Sequence, residues 1–354
     1  MLTRFSEPLT LLDSAIVLPK PSVEAALRSD AERLKAIWSS VTAFGLNHEA
    51  ILGAHRLDPS VLSSRRPPSA LGYRKVAESD VTLSALAEAV AAPLAARIRH
   101  PARVGLVCQS TLDEAISQSL ACRMAGLLGA DCCVFGLGAG QSAALYAVET
   151  AAALLQDADA PGTALLIGAE RWLAPYPRTI DGFAVRGDGA AGVTLTNDPE
   201  VPGWRVSDLI VEPESPLLEA AAHGDDPLAA AWRRSDAARS ALIAHAAATI
   251  RRLLDALEQR PADIAFVAAP ALEPALVDAV TEALDWGGRA LDTDGLARGD
   301  LAAAEPFRLM HALRSQPAKP GDRALLWALD AGGVAGALAL RYDAPSAGAR
   351  KDRK

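Results

Sequence analysis

The sequence predicts an α/β fold in which helices pack against a mostly buried sheet. Apolar runs of strand length alternate with longer helical patterns along the chain, an order typical of a sheet covered by helices. The candidate strands fall into two sets of five, which indicates a duplicated architecture. Residues 139–155 form a helical pattern that is apolar almost all round, so we expect this helix to lie inside the protein, between sheets.

The elements follow one another in a regular order. No short sequence period is visible, so the repetition is one of element order and not that of a solenoid. We place a first half at residues 1–198, a second at 199–345 and a flexible basic tail at 346–354. The predicted strands are 9–18, 104–109, 132–136, 164–168 and 189–195, then 206–211, 264–268, 289–292, 324–329 and 336–342; the main helices are 83–94, 143–155, 237–257 and 274–284.

Composition and charge exclude several classes of protein. The chain has 354 residues, 50% of them hydrophobic, and a formal net charge of -8, so it can bury a large core and does not resemble a nucleic-acid-binding protein. The four cysteines, Cys108, Cys122, Cys132 and Cys133, lack metal-binding spacing and are expected to be small buried hydrophobes in a reducing cytosol. The first residues contain no apolar run of signal-peptide or membrane-spanning length. We therefore expect a cytoplasmic protein without a bound metal.

A tight glycine turn joins a predicted strand to the long apolar helix. Residues 134–141 read VFGLGAGQ. The free N–H groups and the dipole of a helix's first turn stabilise an anion such as a thiolate, yet this turn carries no nucleophile, since glycine has nothing to ionise. Its glycines come late in the chain, and the third is one residue early for a dinucleotide-binding fingerprint, so we favour an active-site elbow over a nucleotide loop.

Four further motifs follow the order of one known family. Residues 72–75 read GYRK, residues 164–170 read ALLIGAE, residues 187–192 read GDGAAG and residues 330–336 read DAGGVAG. Together with the turn, they resemble ketoacyl-acyl-carrier-protein synthase III, a thiolase-fold condensing enzyme. The resemblance covers nearly the whole chain and implies a thiolase-like, duplicated αβαβα five-layer architecture. In that family glycines such as Gly332 and Gly333 shape the wall of the acyl pocket and its oxyanion hole.

The resemblance also marks three catalytic positions. Condensation in this family uses a cysteine, a histidine and an asparagine to transfer an acyl group and to stabilise the enolate. The matching positions hold Gly138, Ala269 and Asp300. Loss of such a triad removes several orders of magnitude in rate, so we expect this chain to be inactive alone in condensation.

Four other residues are candidates to replace the missing nucleophile and base. Ser142 lies one helical turn beyond Gly138, Cys132 and Cys133 precede the glycine turn, and His311 is the histidine whose predicted helix follows Asp300. None has a partner that would activate it at a short sequence spacing. The simpler interpretation is that these four side chains serve packing and hydrogen bonding.

The sequence thus suggests three functions. The first is a non-catalytic partner of an active condensing enzyme in fatty-acid, polyketide or alkylquinolone-type biosynthesis, as a heterodimer or a homodimer. The second is an acyltransferase or esterase with a relocated nucleophile, Ser142, Cys132 or Cys133, and the third is a homodimeric acyl-binding scaffold. We expect no cofactor beyond an acyl-carrier-protein or acyl-coenzyme A thioester as substrate or ligand, and neither nucleic acid nor a membrane as partner. Arg239 falls near a carrier-protein-binding position of the family, within an arginine cluster that also includes Arg233, Arg234, Arg251 and Arg252.

Overall fold

The computed structural model describes residues 1–32, 66–98, 100, 102–111, 119–129, 132–156, 160–172, 178–214, 236–286, 290–291 and 298–344. The strands are β1 (Leu2–Val17), β2 (Pro21–Ser22), β3 (Val76–Ala77), β4 (Ala102–Cys108), β5 (Cys133–Leu137), β6 (Thr163–Glu170), β7 (Thr179–Ile180), β8 (Ala184–Val185), β9 (Gly189–Thr196), β10 (Gly203–Pro213), β11 (Phe266–Ala268), β12 (Arg323–Leu329) and β13 (Val334–Asp343). The helices are α1 (Val23–Leu27), α2 (Leu83–Ala95), α3 (Leu120–Leu128), α4 (Ser142–Gln156), α5 (Asp236–Ala256), α6 (Pro274–Ala283) and α7 (Glu305–Arg314), with 3₁₀ turns at Pro68–Leu71, Pro261–Asp263 and Ala302–Ala304.

Helix starts follow ordinary capping chemistry. The Thr82 hydroxyl accepts the Ala85 N–H at 3.2 Å before α2, and the Ser119 hydroxyl accepts the Cys122 N–H at 3.3 Å before α3. Both bonds satisfy backbone donors that a helix leaves free in its first turn. Helix α6 begins with Pro274, which has no N–H to leave unsatisfied.

One nine-stranded sheet, in the order β11-β12-β13-β10-β1-β9-β6-β4-β5, runs through the molecule. Its two parts have the same topology. If the strands of each part are numbered along the chain, β5-β4-β6-β9-β1 reads 3-2-4-5-1, and β11-β12-β13-β10 reads 2-4-5-1. The missing third member lies at Ala290, which forms a parallel bridge with Val267. The predicted duplicated α/β architecture is therefore confirmed, whereas the exact domain boundaries stay a prediction.

Two predicted strands differ from those observed. The first is predicted at residues 9–18, but β1 begins at Leu2 and reaches β10 through its first residues. Charged residues interrupt the apolar pattern in this part of the sequence. In the structure Arg4 Nε donates to Asp208 Oδ1 at 2.9 Å. The strand predicted at residues 289–292 is reduced, in the described residues, to the bridge at Ala290 and a 2.8 Å bond from the Leu291 N–H to the Val267 carbonyl.

Helices α4 and α7 form the central layer. Helix α4 contacts β4 and β6 on one side and β10 and β13 on the other, and α7 contacts β1, β9 and β12. Helices α2 and α3 cover the outer face of the first half, and α5 and α6 cover that of the second. The nearly all-apolar α4 is buried as predicted, because both of its sides meet sheet. Among the described helices none has the length and apolarity required to cross a membrane.

Candidate functional site

The turn between β5 and α4 is open at Gly138. This glycine is exposed and does not have the positive φ of several other glycines. A β-carbon built on it would have the Gln109 carbonyl oxygen as its nearest neighbour, at 3.9 Å, an ordinary van der Waals distance. Neither backbone conformation nor crowding of a β-carbon therefore requires glycine at this position.

The first turn of α4 is capped by a carboxylate from a distant strand turn. Asp330, just after β12, accepts the Gln141 N–H through Oδ1 at 2.5 Å and the Ser142 N–H through Oδ2 at 3.1 Å. Helix N-termini favour an anion because their N–H groups are free and the helix dipole is positive there. Burial raises the pKa of Asp330, against the hydrogen bonds from Ser142 and Gln141 that lower it.

The glycine-rich turn holds Asp330 in this position. The Asp330 N–H donates to the Val334 carbonyl at 2.8 Å, and the Gly333 N–H donates to the Asp330 carbonyl at 2.9 Å. Gly333 has a φ of 87°, which glycine adopts without strain. Gly332 and Gly333, predicted to form a pocket wall, thus lie in the turn that directs a carboxylate onto α4.

Gln141 ties this helix terminus to two other segments. Its side chain is fully buried; Nε2 donates to Asp300 Oδ1 at 2.9 Å, and Oε1 accepts the Leu329 N–H at 3.0 Å. An amide is suited to this place because it donates to a carboxylate and accepts from a backbone N–H at the same time. Gln141 therefore links the start of the helix that follows Gly138 to the loop that carries Asp300.

Asp300 is buried, and both of its carboxylate oxygens have partners. Oδ1 also accepts the Ala302 N–H at 2.9 Å, and Oδ2 forms an ion pair with the buried Arg186 guanidinium. The Arg186 guanidinium lies 5.4 Å from the centroid of the Trp172 ring, within cation–π range. Burial raises the pKa of Asp300 to about 6; Arg186 opposes the rise and Glu305 adds to it.

Ala269 follows β11 at the same end of the sheet. Two residues later, the Ala271 N–H donates to Glu305 Oε1 at 2.7 Å, while the Leu301 N–H donates to Oε2 at 3.2 Å. Glu305, which is ion-paired with Arg308, thus joins the loop that carries Ala269 to the loop that carries Asp300. The methyl side chain of Ala269 supplies no acid, base or hydrogen-bond donor there.

A further buried carboxylate, beyond Asp300 and Glu305, was not foreseen from the sequence. Glu170, the last residue of β6, accepts the N–H groups of Ser110 at 2.7 Å, Thr111 at 3.1 Å and Ala303 at 3.1 Å. Burial raises its pKa to about 7 in spite of hydrogen bonds that favour the charged form. The available signal was an acidic residue at the end of an otherwise uncharged, fully buried strand.

The candidate substitute nucleophiles show no activation. Ser142 is buried, and its hydroxyl hydrogen-bonds to the Asp330 carboxylate that also accepts its N–H. Burial, followed by the neighbouring Cys133, raises the pKa of Cys132 to about 11, the opposite of what a reactive thiol requires. The prediction that all four cysteines are buried is wrong: Cys108 is buried, but Cys133 on β5 and Cys122 on α3 are exposed, because each lies on an outward side of its element.

His311 and Arg239 lie away from this cluster of contacts. His311 Nδ1 is 3.0 Å from the Ser14 hydroxyl on β1, and burial, with Arg314, lowers its pKa. Arg239 is half-buried in the first turns of α5, on the outer layer. In the same arginine cluster Arg252 is ion-paired with Glu212, while Arg233 and Arg234 lie outside the described residues.

The described residues contain no group of three or more histidine, cysteine, aspartate or glutamate side chains placed to hold a metal ion. The functional groups of the site are the buried arginines Arg186 and Arg308, the Gln141 amide, the Ser142 hydroxyl, backbone N–H groups and the carboxylates of Glu170, Asp300, Glu305 and Asp330. Such a set can order loops and repel an approaching anion, but it presents no exposed nucleophile.

Comparison with known proteins identifies the fold. No protein-family model matches the chain, and a search of curated proteins finds no match. Among solved structures, it is similar to ChlB3, described as an acyltransferase, with a TM-score of 0.70, 17% identity and coverage of 96% of this chain and 98% of that one. It is also similar to 3-oxoacyl-(acyl carrier protein) synthase III from Pseudomonas aeruginosa PAO1, with a TM-score of 0.65, 20% identity and coverage of 96% and 99%. A third similar structure is AbyA1, described as a tetronic acid condensing enzyme, with a TM-score of 0.64, 16% identity and coverage of 94% and 99%. The architecture is thus that of the thiolase-fold condensing enzymes.

Proposed function

We propose that this chain is a synthase III-like subunit that does not catalyse condensation itself and that pairs with an active condensing enzyme. The pathway would be of the fatty-acid, polyketide or alkylquinolone type. The observation that carries the proposal is the Asp330 carboxylate on the first turn of α4, beside Gly138. The position that would need a thiolate has no side chain, and the N–H groups nearby already bind an anion.

Electrostatics at the site supports the same interpretation. Acyl transfer develops negative charge on a thiol and on a carbonyl oxygen, and preorganised donors must meet that charge. Here the Asp330 carboxylate accepts from two such donors, and Asp300, at the position where the family has an asparagine, is ion-paired with Arg186 and has no amide donor to offer. Donors that are already bound to a carboxylate cannot stabilise an oxyanion, so this arrangement disfavours the family reaction.

The pairing surface that we propose lies around β5. Within the described sheet β5 is an edge strand whose partner is β4, and such an edge offers free backbone groups to another strand. Three large apolar side chains are exposed on the flanking helices: Leu127 (41%) on α3, and Tyr146 (36%) and Leu154 (41%) on α4. Tyr146 and Leu154, eight residues apart, share a face of α4. A subunit of the same fold, offering its own β5, would extend the sheet and cover these side chains.

Relocated chemistry is the alternative, and the likeness to an acyltransferase is a reason to test it. The buried, carboxylate-bound Ser142 and the raised pKa of Cys132 both weigh against it. A homodimeric acyl-binding scaffold would use the same β5 surface, with a second copy of this chain in place of the active enzyme.

The deciding experiment is intact-protein mass spectrometry of the chain alone after incubation with acyl-coenzyme A and acyl-carrier-protein thioesters, with thioester consumption followed in parallel. We expect neither an adduct nor consumption. An adduct mapped to Ser142, Cys132 or Cys133 would overturn the proposal in favour of the relocated nucleophile.

Partner choice is tested by purification from the native host and by reconstitution. We expect a thiolase-fold condensing enzyme to co-purify, and its activity to fall when Tyr146→Glu and Leu154→Glu are combined in this chain. Val81→Glu, at a residue that is 45% exposed elsewhere on the surface, is the matched control. A stable homodimer that ignores every condensing enzyme offered to it would instead support the scaffold function.

A further inference from the structure

A row of three arginines crosses the second half of the sheet, at the end opposite to the candidate site. Arg341 on β13 lies directly opposite both Arg323 on β12 and Arg205 on β10. Directly opposed residues of antiparallel strands are on the same face, with β-carbons about 5 Å apart, and like charges in such pairs are destabilising. This row therefore costs stability unless an anion offsets it.

Carboxylates among the described residues compensate only part of the positive charge of these three arginines. Asp343 lies 3.2 Å from Arg205 Nε and 2.9 Å from Arg341 Nε. The neighbouring acids are engaged elsewhere, since Asp208 pairs with Arg4 at 2.9 Å and Asp263 pairs with Arg260 at 2.9 Å. Three arginines against one aspartate leave a local charge of about +2, in a chain whose net charge is -8.

Two of the arginines retain hydrogen-bonding capacity. The side chain of Arg323 makes no ion pair or hydrogen bond with the described residues, and its charge contributes to lowering the pKa of Asp263. The Nε atom of Arg205 is buried and has no acceptor in hydrogen-bonding geometry there, although Asp343 is near. Buried donors of this kind normally have partners.

These side chains surround a cavity of about 270 Å³. Arg205, Arg323, Arg341 and Asp343 line it together with Asp208, whose carboxylate is paired with Arg4, and with apolar groups such as Leu257 and Ile264. Its size is near the lower limit of small-molecule sites, which fits a small anion better than a nucleic acid or a membrane. Arg323 and Leu329 are at opposite ends of β12, so the cavity lies about 20 Å from the candidate site.

We propose that this cavity, which we call the arginine cavity, binds a small phosphate-bearing anion. A phosphate carries a charge of about −1.5 to −2 at neutral pH, which balances the local excess. Guanidinium groups bind phosphate oxygens through paired, charge-assisted hydrogen bonds. The Arg323 guanidinium and the Arg205 Nε–H supply the donors. The inference does not depend on the proposed function, because it uses different residues at the opposite end of the sheet.

The test is a titration of the full-length protein with inorganic phosphate by calorimetry, at an ionic strength held constant with chloride. We expect saturable binding to the wild type and to Arg103→Gln, which removes an exposed arginine at the start of β4. Arg323→Gln should raise the Kd about 10- to 100-fold, the equivalent of losing one charge-assisted hydrogen bond. Asp343→Asn should lower the Kd, because it removes the competing carboxylate.

Thermal unfolding without phosphate shows that the variants are folded. Arg323→Gln should be at least as stable as the wild type in chloride, because one like-charge pair is relieved. Absence of saturable phosphate binding to the wild type would overturn the proposal. Equal losses of affinity in Arg323→Gln and Arg103→Gln would also overturn it, since they would indicate non-specific charge screening.

Discussion

The carboxylate of Asp330 lies against Gly140, so close that a β-carbon on this glycine would be 2.0 Å from Asp330 Oδ1. The two residues are far apart in sequence, and their contact closes the strand turn after β12 over the first turn of α4. A side chain at position 140 would therefore displace the Asp330 carboxylate, in contrast to position 138, whose surroundings are open.

We predict that Gly140→Ala lowers the free energy of unfolding by about 1–3 kcal/mol, because Asp330 must move and lose its bonds to Gln141 and Ser142. Urea denaturation measures the change. Gly126→Ala is the matched control: Gly126 is in α3, and a methyl group added there would have no atom within 4 Å, so alanine should stabilise by about 0.5–1 kcal/mol. Changes of the same sign in both variants would contradict the prediction.

Gly138→Cys should be tolerated structurally but should not give a reactive thiolate, because Asp330 already occupies the helix N-terminus. We expect the pKa of the introduced thiol to stay near or above the usual value of about 8.5, and to fall towards about 7 when Asp330→Asn is added. The pH dependence of alkylation at position 138, resolved by mass spectrometry, measures both. A strongly depressed pKa in the single variant would show that Asp330 does not control this position.

The buried pair Arg186–Asp300 should be strongly coupled. Removing one partner leaves an uncompensated buried charge, so Arg186→Met and Asp300→Asn should each cost about 3–5 kcal/mol, and the double variant should cost much less than their sum. Denaturation of the four proteins gives the coupling energy. The exposed Arg260–Asp263 pair, treated in the same way, should show far weaker coupling, because solvent screens exposed charges. Additive losses at Arg186 and Asp300 would disprove the coupling.

Glu170 should make stability depend on pH. Its pKa in the folded protein is raised from 4.5 to about 7, so its stabilisation is fully present below about pH 4.5 and is lost as pH rises through about 7, a difference on the order of 3 kcal/mol. Asp300, whose pKa is raised to about 6, acts in the same direction.

Urea denaturation between about pH 4.5 and 8 should therefore show a falling free energy of unfolding that becomes shallower in Glu170→Gln. The slope should not vanish, because Asp300 still titrates. Glu282→Gln, at an exposed position on α6, should keep the wild-type slope. An unchanged slope in Glu170→Gln would mean that this carboxyl group does not titrate in that range.

Much of the architecture could be predicted because it depends on periodicity. The alternation of apolar strands and helices gave the element order, and the all-apolar character of α4 gave its central position. The prediction failed where charge and apolar pattern conflicted: the first residues of β1 were missed because the compensating Asp208 is 204 positions away from Arg4. No local pattern indicates such a partner.

The candidate site, like the fold, was only partly predictable from the sequence. Motif order predicts functional roles for Gly138, Ala269, Asp300 and the turn at Gly332 and Gly333, and these roles stay predictions. It did not reveal that the carboxylate of Asp330 reaches α4, that Gln141 connects Asp300 to the end of β12, or that Arg186 neutralises Asp300.

By itself, then, the sequence determined the order of elements and the duplicated α/β fold, because these depend on hydrophobic pattern and local turn chemistry. Only the tertiary structure decided which charges meet. The hydrogen bonds from the first turn of α4 to Asp330 and the ion pair between Arg186 and Asp300 join segments that are far apart in the chain. The opposed arginines of β10, β12 and β13 also come from separate segments. Their energies arise from burial and distance, which exist only once the strands are paired and the helices are packed between them.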